Sequence, residues 1–251
     1  NGWSDPTFYT NHWTSNTCNI GAMSVQYIPA GVDNIPTVLT GNTIYVLDTG
    51  AHSMTTTRVF SGDCIGLIGR RYVASNSSTG IATVSITGST AFTFSGNKNI
   101  IVEDINLNVN SASIGVQWQN IQSSSIGPEV WWSSSTILGK FENLTNTMIF
   151  GRWDGSYNVS QTNLVISWGQ DIRVWETWPV AVARRSQTGL YLHDINDLIV
   201  YTDTAQNMGV GAYVENVTNL QVYARYFASN GSHGLVVSWS NNVFIKWWTY
   251  G

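Results

Sequence analysis

A chain of 251 residues is long enough to bury a sizeable core as one elongated unit. Only 10% of its residues are charged, the formal charge is −4 and the pI lies near 5.4, so no basic field exists to attract nucleic acid. No stretch approaches the ~18 consecutive apolar residues of a membrane span, and abundant Gly, Ser, Thr, Asn and Val favour short strands and tight polar turns over amphipathic helices.

In chain order, the sequence opens on Asn1 without a charged-then-apolar leader, which places any export signal outside it. Residues 1–42, including "NIGAMSVQYIPAGVDNIP", match no repeat and are expected to form an N-terminal cap over residues 43–251. Cys18 and Cys64 either tie this segment to the body by a disulfide, as suits an exported protein, or are two buried thiols. The Asn-x-Ser/Thr triplets at Asn76, Asn143, Asn158, Asn216 and Asn230 are expected by chance in so Asn-rich a chain.

Beyond the cap an Asn-then-aliphatic signature recurs as "NIIV" at Asn99, "NTMI" at Asn146 and "NLVI" at Asn163, with a weaker copy from Gly115 through Ser124 and Ile126. Gly139 and Gly155 stand 16 residues apart, a tightly turned rung, whereas Gly155 and Gly189 are 34 apart. That excess predicts a loop at 169–187, "GQDIRVWETWPVAVARRSQ", where Pro179 breaks any strand. Three clear copies follow, "GLYLHDINDLIVYTD" from Gly189, "GAYVENVTNLQVYAR" from Gly211 and "GLVVSWSNNVFIKWW" from Gly234, at offsets of 22 and 23.

Each copy alternates twice. Leu190/Leu192, Ala212/Val214 and Leu235/Val237 point inward from a first strand, and Leu198/Val200, Leu220/Val222 and Val243/Ile245 from a second. One such segment cannot close a core, but stacked copies bury a continuous aliphatic column and pair every strand edge. The Gly-strand-(Asn/Asp)-strand pattern resembles the right-handed parallel β-helix superfamily of pectate lyases, polygalacturonases and phage tailspikes, from about Thr43 to Gly251. The resemblance implies an all-β, right-handed parallel β-helix solenoid behind an N-terminal cap, and specifies no activity. It also implies stacked asparagines in the turn after the second strand. That turn instead holds Thr202/Asp203, Ala224/Arg225 and Trp247/Trp248, with Gly151/Arg152 and Trp168/Gly169 further back.

A chain with 12 Trp and 11 Tyr carries more large rings than so slender a core is expected to hide. Trp131, Trp132, Trp153, Trp168, Arg225, Tyr226, Phe227, Trp247 and Trp248, with Trp175 and Trp178 in the predicted loop, are therefore candidate ligand-binding residues on one edge. A second column, two residues after each Gly, holds Gln117, Phe141, Tyr157, Tyr191, Tyr213 and Val236 and is expected to point outward. Rings that merely stack on one another explain the same composition without a ligand. Rings with Arg, Gly and Ser also suit a diversified or engineered binding surface.

For catalysis, "SHG" at Ser232–Gly234 resembles the Gly-His-Gly of polygalacturonases, but the Asp-Asp pair is replaced by Glu215-Asn216 and the Arg-x-Lys by Lys246-Trp247. His233 then reads as a turn residue. The best acidic pair is Asp154 and Asp171, each eight residues after an Asn, with Arg152 and Arg173 as flanking cations. Stacked on adjacent rungs, they would hold calcium or share a proton in a polysaccharide lyase, hydrolase or epimerase. His193 and Glu215 align on neighbouring rungs and would pair. No zinc spacing, phosphate loop or dinucleotide fingerprint is present, and no cofactor is implied outside calcium in that enzyme alternative. The sequence thus reads as an extracellular or surface-displayed binder of carbohydrate or protein, capable of self-association through its last rung. The alternatives are that enzyme and an architectural spacer.

Overall fold

The computed structural model describes residues 18, 22–70, 81–110, 112–155, 161–181, 188–204, 209–226 and 232–247. Among them are eighteen strands and no α-helix: β1 (Ser24–Ile28), β2 (Gly31–Val32), β3 (Val38–Thr40), β4 (Thr43–Leu47), β5 (Gly50–Met54), β6 (Arg58–Ser61), β7 (Ile65–Gly69), β8 (Ala82–Thr87), β9 (Phe92–Ser95), β10 (Ile100–Asn110), β11 (Ile114–Gln119), β12 (Ser125–Ser133), β13 (Ile137–Gly155), β14 (Thr162–Ala181), β15 (Thr188–Thr204), β16 (Val210–Tyr226), β17 (His233–Ser238) and β18 (Phe244–Trp247). No helix among these residues is long and apolar enough to cross a membrane.

All strand pairs are parallel and join stacked turns, the register of a right-handed parallel β-helix. Three strands make a turn with three faces: β1, β2 and β3 lie under β4, β5 and β6, which lie under β7, β8 and β9. Later strands lengthen until each of β13 to β16 completes the third face of one turn and starts the next. The coil therefore begins at Ser24, inside the segment expected to be a cap. Its N-terminal anchor is the disulfide between Cys18 and Cys64, which packs with Met23, Ile68 and Ile101.

Residues 169–181 are strand, not loop. They form the second half of β14, in register with β13 before and β15 after, and the register shifts at Phe150/Arg152 and Trp175/Thr177 each accommodate one extra residue of β14. The glycine marker misleads here. Leu138 and Asn163 stand where Gly189, Gly211 and Gly234 stand in later rungs, so Gly139 and Gly155 mark no repeat boundary. Residues 182–187 lie outside the described ones.

The third and first faces meet in a four-residue turn whose first and last members adopt the left-handed conformation. The pairs are Asn120/Ser123, Asn143/Asn146, Trp168/Asp171, Asp194/Asp197, Asn216/Asn219 and Trp239/Asn242, all with φ between 47° and 58°. Asn and Asp tolerate that region because their short polar side chains bond locally, while the next residue, as in Ile121, Leu144, Ile195 and Val217, is buried. The asparagine ladder missing after the second strand stands at this corner instead. Asn143 donates to Asn120, Asn216 to Asp194, and Asn219 to Asp197 at 2.6 Å each, and Asn242 donates to Asn219 at 2.9 Å.

Inside the coil, Phe60, Phe94, Trp118 and Phe141 follow one another up the third face, with ring centroids 3.6, 5.0 and 4.5 Å apart. Trp153 extends this stack, 5.9 Å from Phe141 and fully buried, its Nε1 donating to the Phe150 carbonyl at 3.1 Å. Gly139 makes the space: a Cβ there would lie 2.7 Å from the Trp153 ring and 2.8 Å from that of Phe141. Above it the column turns aliphatic with Ile166, Leu192 and Val214. Val243 and Ile245, also expected inside, remain 40% and 36% exposed, since no described strand covers β18 on its far side.

Candidate functional site

On the first face, successive side chains of β13 to β16 alternate in and out, so one-residue register carries two outward columns along the coil axis. One holds Met148, Arg173, Ile199 and Gln221; its neighbour holds Phe150, Trp175, Tyr201 and Tyr223. The Trp175 and Tyr201 rings stack at 4.7 Å and 21°, Tyr201 and Tyr223 at 6.4 Å and 30°, and Phe244 leans on Tyr223 at 5.8 Å. Trp175 is 42% exposed. Phe150 covers Gly127, where any Cβ would collide with its ring.

Beside this strip runs a groove of about 350 Å³ lined by Asn146, Asp171, Ile172, Arg173, Asp197, Ile199, Asn219 and Gln221. Its far wall is the fourth-position turn ladder, so carboxylates and amides recur once per rung opposite a guanidinium and an amide. The groove thus presents donors and acceptors along one side, and the outer edges of the stacked rings run beside it.

The third face carries a second polar and aromatic group across the turn. Tyr191 stacks on His193 at 4.6 Å and meets Tyr213 at 5.6 Å, and its hydroxyl donates to Glu215 at 3.1 Å. Burial and that bond hold the Tyr191 phenol above its usual pKa. His193 Nδ1 bonds the Asp194 carboxylate at 2.8 Å, and with the Asn216 amide it keeps Asp194 below the usual carboxylate range. His193 and Glu215 do align on neighbouring rungs, but each bonds elsewhere.

The expected edge of rings divides among several places. Trp153 is interior, as described, and so is Phe141, which was expected outward. Trp168 occupies the turn corner, not the column after the second strand, and is 56% exposed. Strand register places Trp131 and Trp132 on β12, Arg152 opposite Trp178, Arg225 and Tyr226 on β16, and Trp247 beside Ala224. Trp248, Phe227 and Tyr157 lie outside the described residues. Asp154 and Asp171 are not stacked: Asp154 pairs with Val180, whereas Asp171 follows Asn146 in the turn column, because Asn163 and Asn146 belong to different faces. In the turn column, Asp171 and Asp197 fall on adjacent rungs. No group of three or more His, Cys, Asp or Glu suited to a metal is found among the described residues. His233 opens β17 opposite Val210 and is exposed.

No family model matches the chain, and no curated protein matches it. Among solved structures it is similar to a double mutant of the periplasmic alginate epimerase AlgG, at 12% identity and a TM-score of 0.41 over 90% of this chain and 77% of that one. Unmodified AlgG gives 11% identity and a TM-score of 0.39 over 88% and 77%.

Tyr201, Tyr223, Phe150 and Phe244 were not singled out in the sequence. The signal that finds Tyr201 and Tyr223 is a Val-then-aromatic pair shared with Trp175, in "IRVW", "LIVY" and "LQVY"; Phe150 and Phe244 lie outside it. Treating 169–187 as a loop removed Trp175 from that column and hid it.

Proposed function

We propose that this protein binds a carbohydrate chain laid along the coil axis on the first face, in an oxidising compartment outside the cytosol. The observation that carries this reading is the stacked strip of Trp175, Tyr201 and Tyr223 beside a groove with a polar group on every rung. Pyranose rings present one apolar face and a rim of hydroxyls, and the strip and groove match those two halves. The Cys18–Cys64 disulfide supports the compartment.

The test is a binding titration of wild type, W175A and Y201A against immobilised neutral and acidic polysaccharides, with product analysis on the same samples. Binding that weakens at least tenfold in each variant, about 1.4 kcal/mol, with the polysaccharide left intact, is the expected result. Calcium-dependent release of unsaturated or epimerised product, lost in a variant with Asp171→Asn and Asp197→Asn, would convert the binder into an enzyme. Equal binding by all three proteins removes the strip from the site.

A further inference from the structure

Two tryptophans occupy a backbone position for which their side chains are poorly suited. In the first-position turn column, every rung from Gly96 upward carries Gly, Asn or Asp except two: the residues run Gly96, Asn120, Asn143, Trp168, Asp194, Asn216, Trp239. Trp168 has φ 52° and Trp239 φ 47°, where a bulky residue costs ~1–2 kcal/mol relative to the ordinary region. An asparagine there would relieve the strain and extend the amide ladder of its neighbours. Both indoles nevertheless stay largely open to solvent, Trp168 56% exposed and Trp239 81% exposed. Strain held at exposed side chains points to a role outside folding.

Their placement is regular. Three rungs separate them, ~14 Å at the ~4.8 Å spacing of strands in a sheet. Between them stand Asp194 and Asn216, joined by a 2.6 Å amide bond, so the column reads indole, carboxylate, amide, indole. The Trp168 ring is steadied by His193 edge-on at 6.1 Å, whose Nδ1 in turn bonds Asp194.

We infer that this turn edge is a second carbohydrate site, separate from the first-face groove, taking a neutral linear oligosaccharide that spans both indoles. An extended β-1,4-linked pyranose chain advances by roughly one rung spacing per sugar, so terminal sugars stack on Trp168 and Trp239 while inner hydroxyls bond the Asp194 carboxylate and the Asn216 amide. The central carboxylate selects against uronate chains. The inference rests on the carbohydrate reading of the protein but on a different set of residues.

The experiment is calorimetric titration of wild type, W168N, W239N and the W175A/Y201A pair with cello-oligosaccharides from disaccharide to hexasaccharide, oligogalacturonate of matching length, and thermal unfolding of each protein. Cello-oligosaccharide affinity is expected to rise steeply once the chain is a tetrasaccharide, to fall at least tenfold in W168N and in W239N, and to persist in the W175A/Y201A pair. Both Asn variants are expected to unfold at or above the wild-type temperature. Lower melting temperatures in W168N and W239N would show that the indoles serve the fold, and unchanged titrations would show that they serve no glycan; either overturns the site. If oligosaccharide binding vanishes only in the W175A/Y201A pair, the first-face reading stands and this one falls. If no protein binds any chain, both fall together.

Discussion

At the scale of single residues, Trp153 shows how a slender coil hides a large ring. It needs an absent side chain at Gly139, and the two positions act as one unit. Gly139→Ala is expected to destabilise by ~1–3 kcal/mol through overpacking, and Trp153→Ala by ~3–5 kcal/mol through the cavity it leaves, measured by urea denaturation. Composition shows the number of rings; it does not show which glycine has vacated core volume for one, because a packing glycine and a repeat glycine look alike in sequence. Glu103 is the second residue whose setting is invisible beforehand. It is buried, and burial, then the adjacent Asp104 charge, push its carboxyl up to about 7, against one bond from Ser125. The folded state therefore holds a proton that the unfolded chain releases, and stability is expected to fall as pH rises from about 4.5 to about 7, by up to ~3 kcal/mol. Glu103→Gln should abolish that slope and exceed wild type at pH ~8 while matching it at pH ~4. A slope unchanged by the substitution would place the titration elsewhere. Asp33 works in the opposite sense: the Thr55 amide first, then the Thr55 hydroxyl and Arg58, lower its carboxyl to about 2. Its contribution is present above the ordinary carboxylate range and lost as pH falls toward about 2, a loss that Asp33→Asn should remove from an acid-unfolding curve.

At the scale of elements, the corner between the third and first faces organises the coil. Its signature, Asn/Asp-x-x-Asn/Asp with an aliphatic second residue, stands in the sequence as "NLTN", "DIND" and "NVTN". Only its last member was legible, because the Asn-then-aliphatic pattern leads directly into a strand, whereas the first member follows one. The fourth-position residue Asn219 both donates to Asp197 and accepts from Asn242. Asn219→Ala is expected to cost ~2 kcal/mol or more, since two amide bonds go and Ala must still hold φ 56°, and Asn219→Gly less, because glycine keeps the conformation. Equal losses in the two variants would mean that the left-handed backbone contributes nothing. Register between β13 and β15 is the element-scale feature the glycine spacing concealed. Only the pairs of inward Val and outward aromatic residue, counted with the other inward aliphatics across 138–204, restore it.

For the whole molecule, winding one chain into stacked turns converts a short sequence period into long straight columns. The aliphatic column was legible from alternation, and with it the fold. The functional columns were legible as a class of residue but not as positions, since a one-face error moves a ring from solvent to core. The ladder corner itself carries two indoles, an aromatic strip lies beside it on the first face, and the central claim is that this strip receives a sugar chain. Diffraction from crystals soaked with an oligosaccharide that binds in solution tests this most directly. The account predicts a sugar chain running along the coil axis against the outer edge of the Trp175–Tyr201 stack, with hydroxyls reaching Asp171, Arg173 or Gln221. A sugar chain found only at the turn indoles Trp168 and Trp239, or a Trp175 side chain folded under neighbouring residues with no ring edge open, would contradict it.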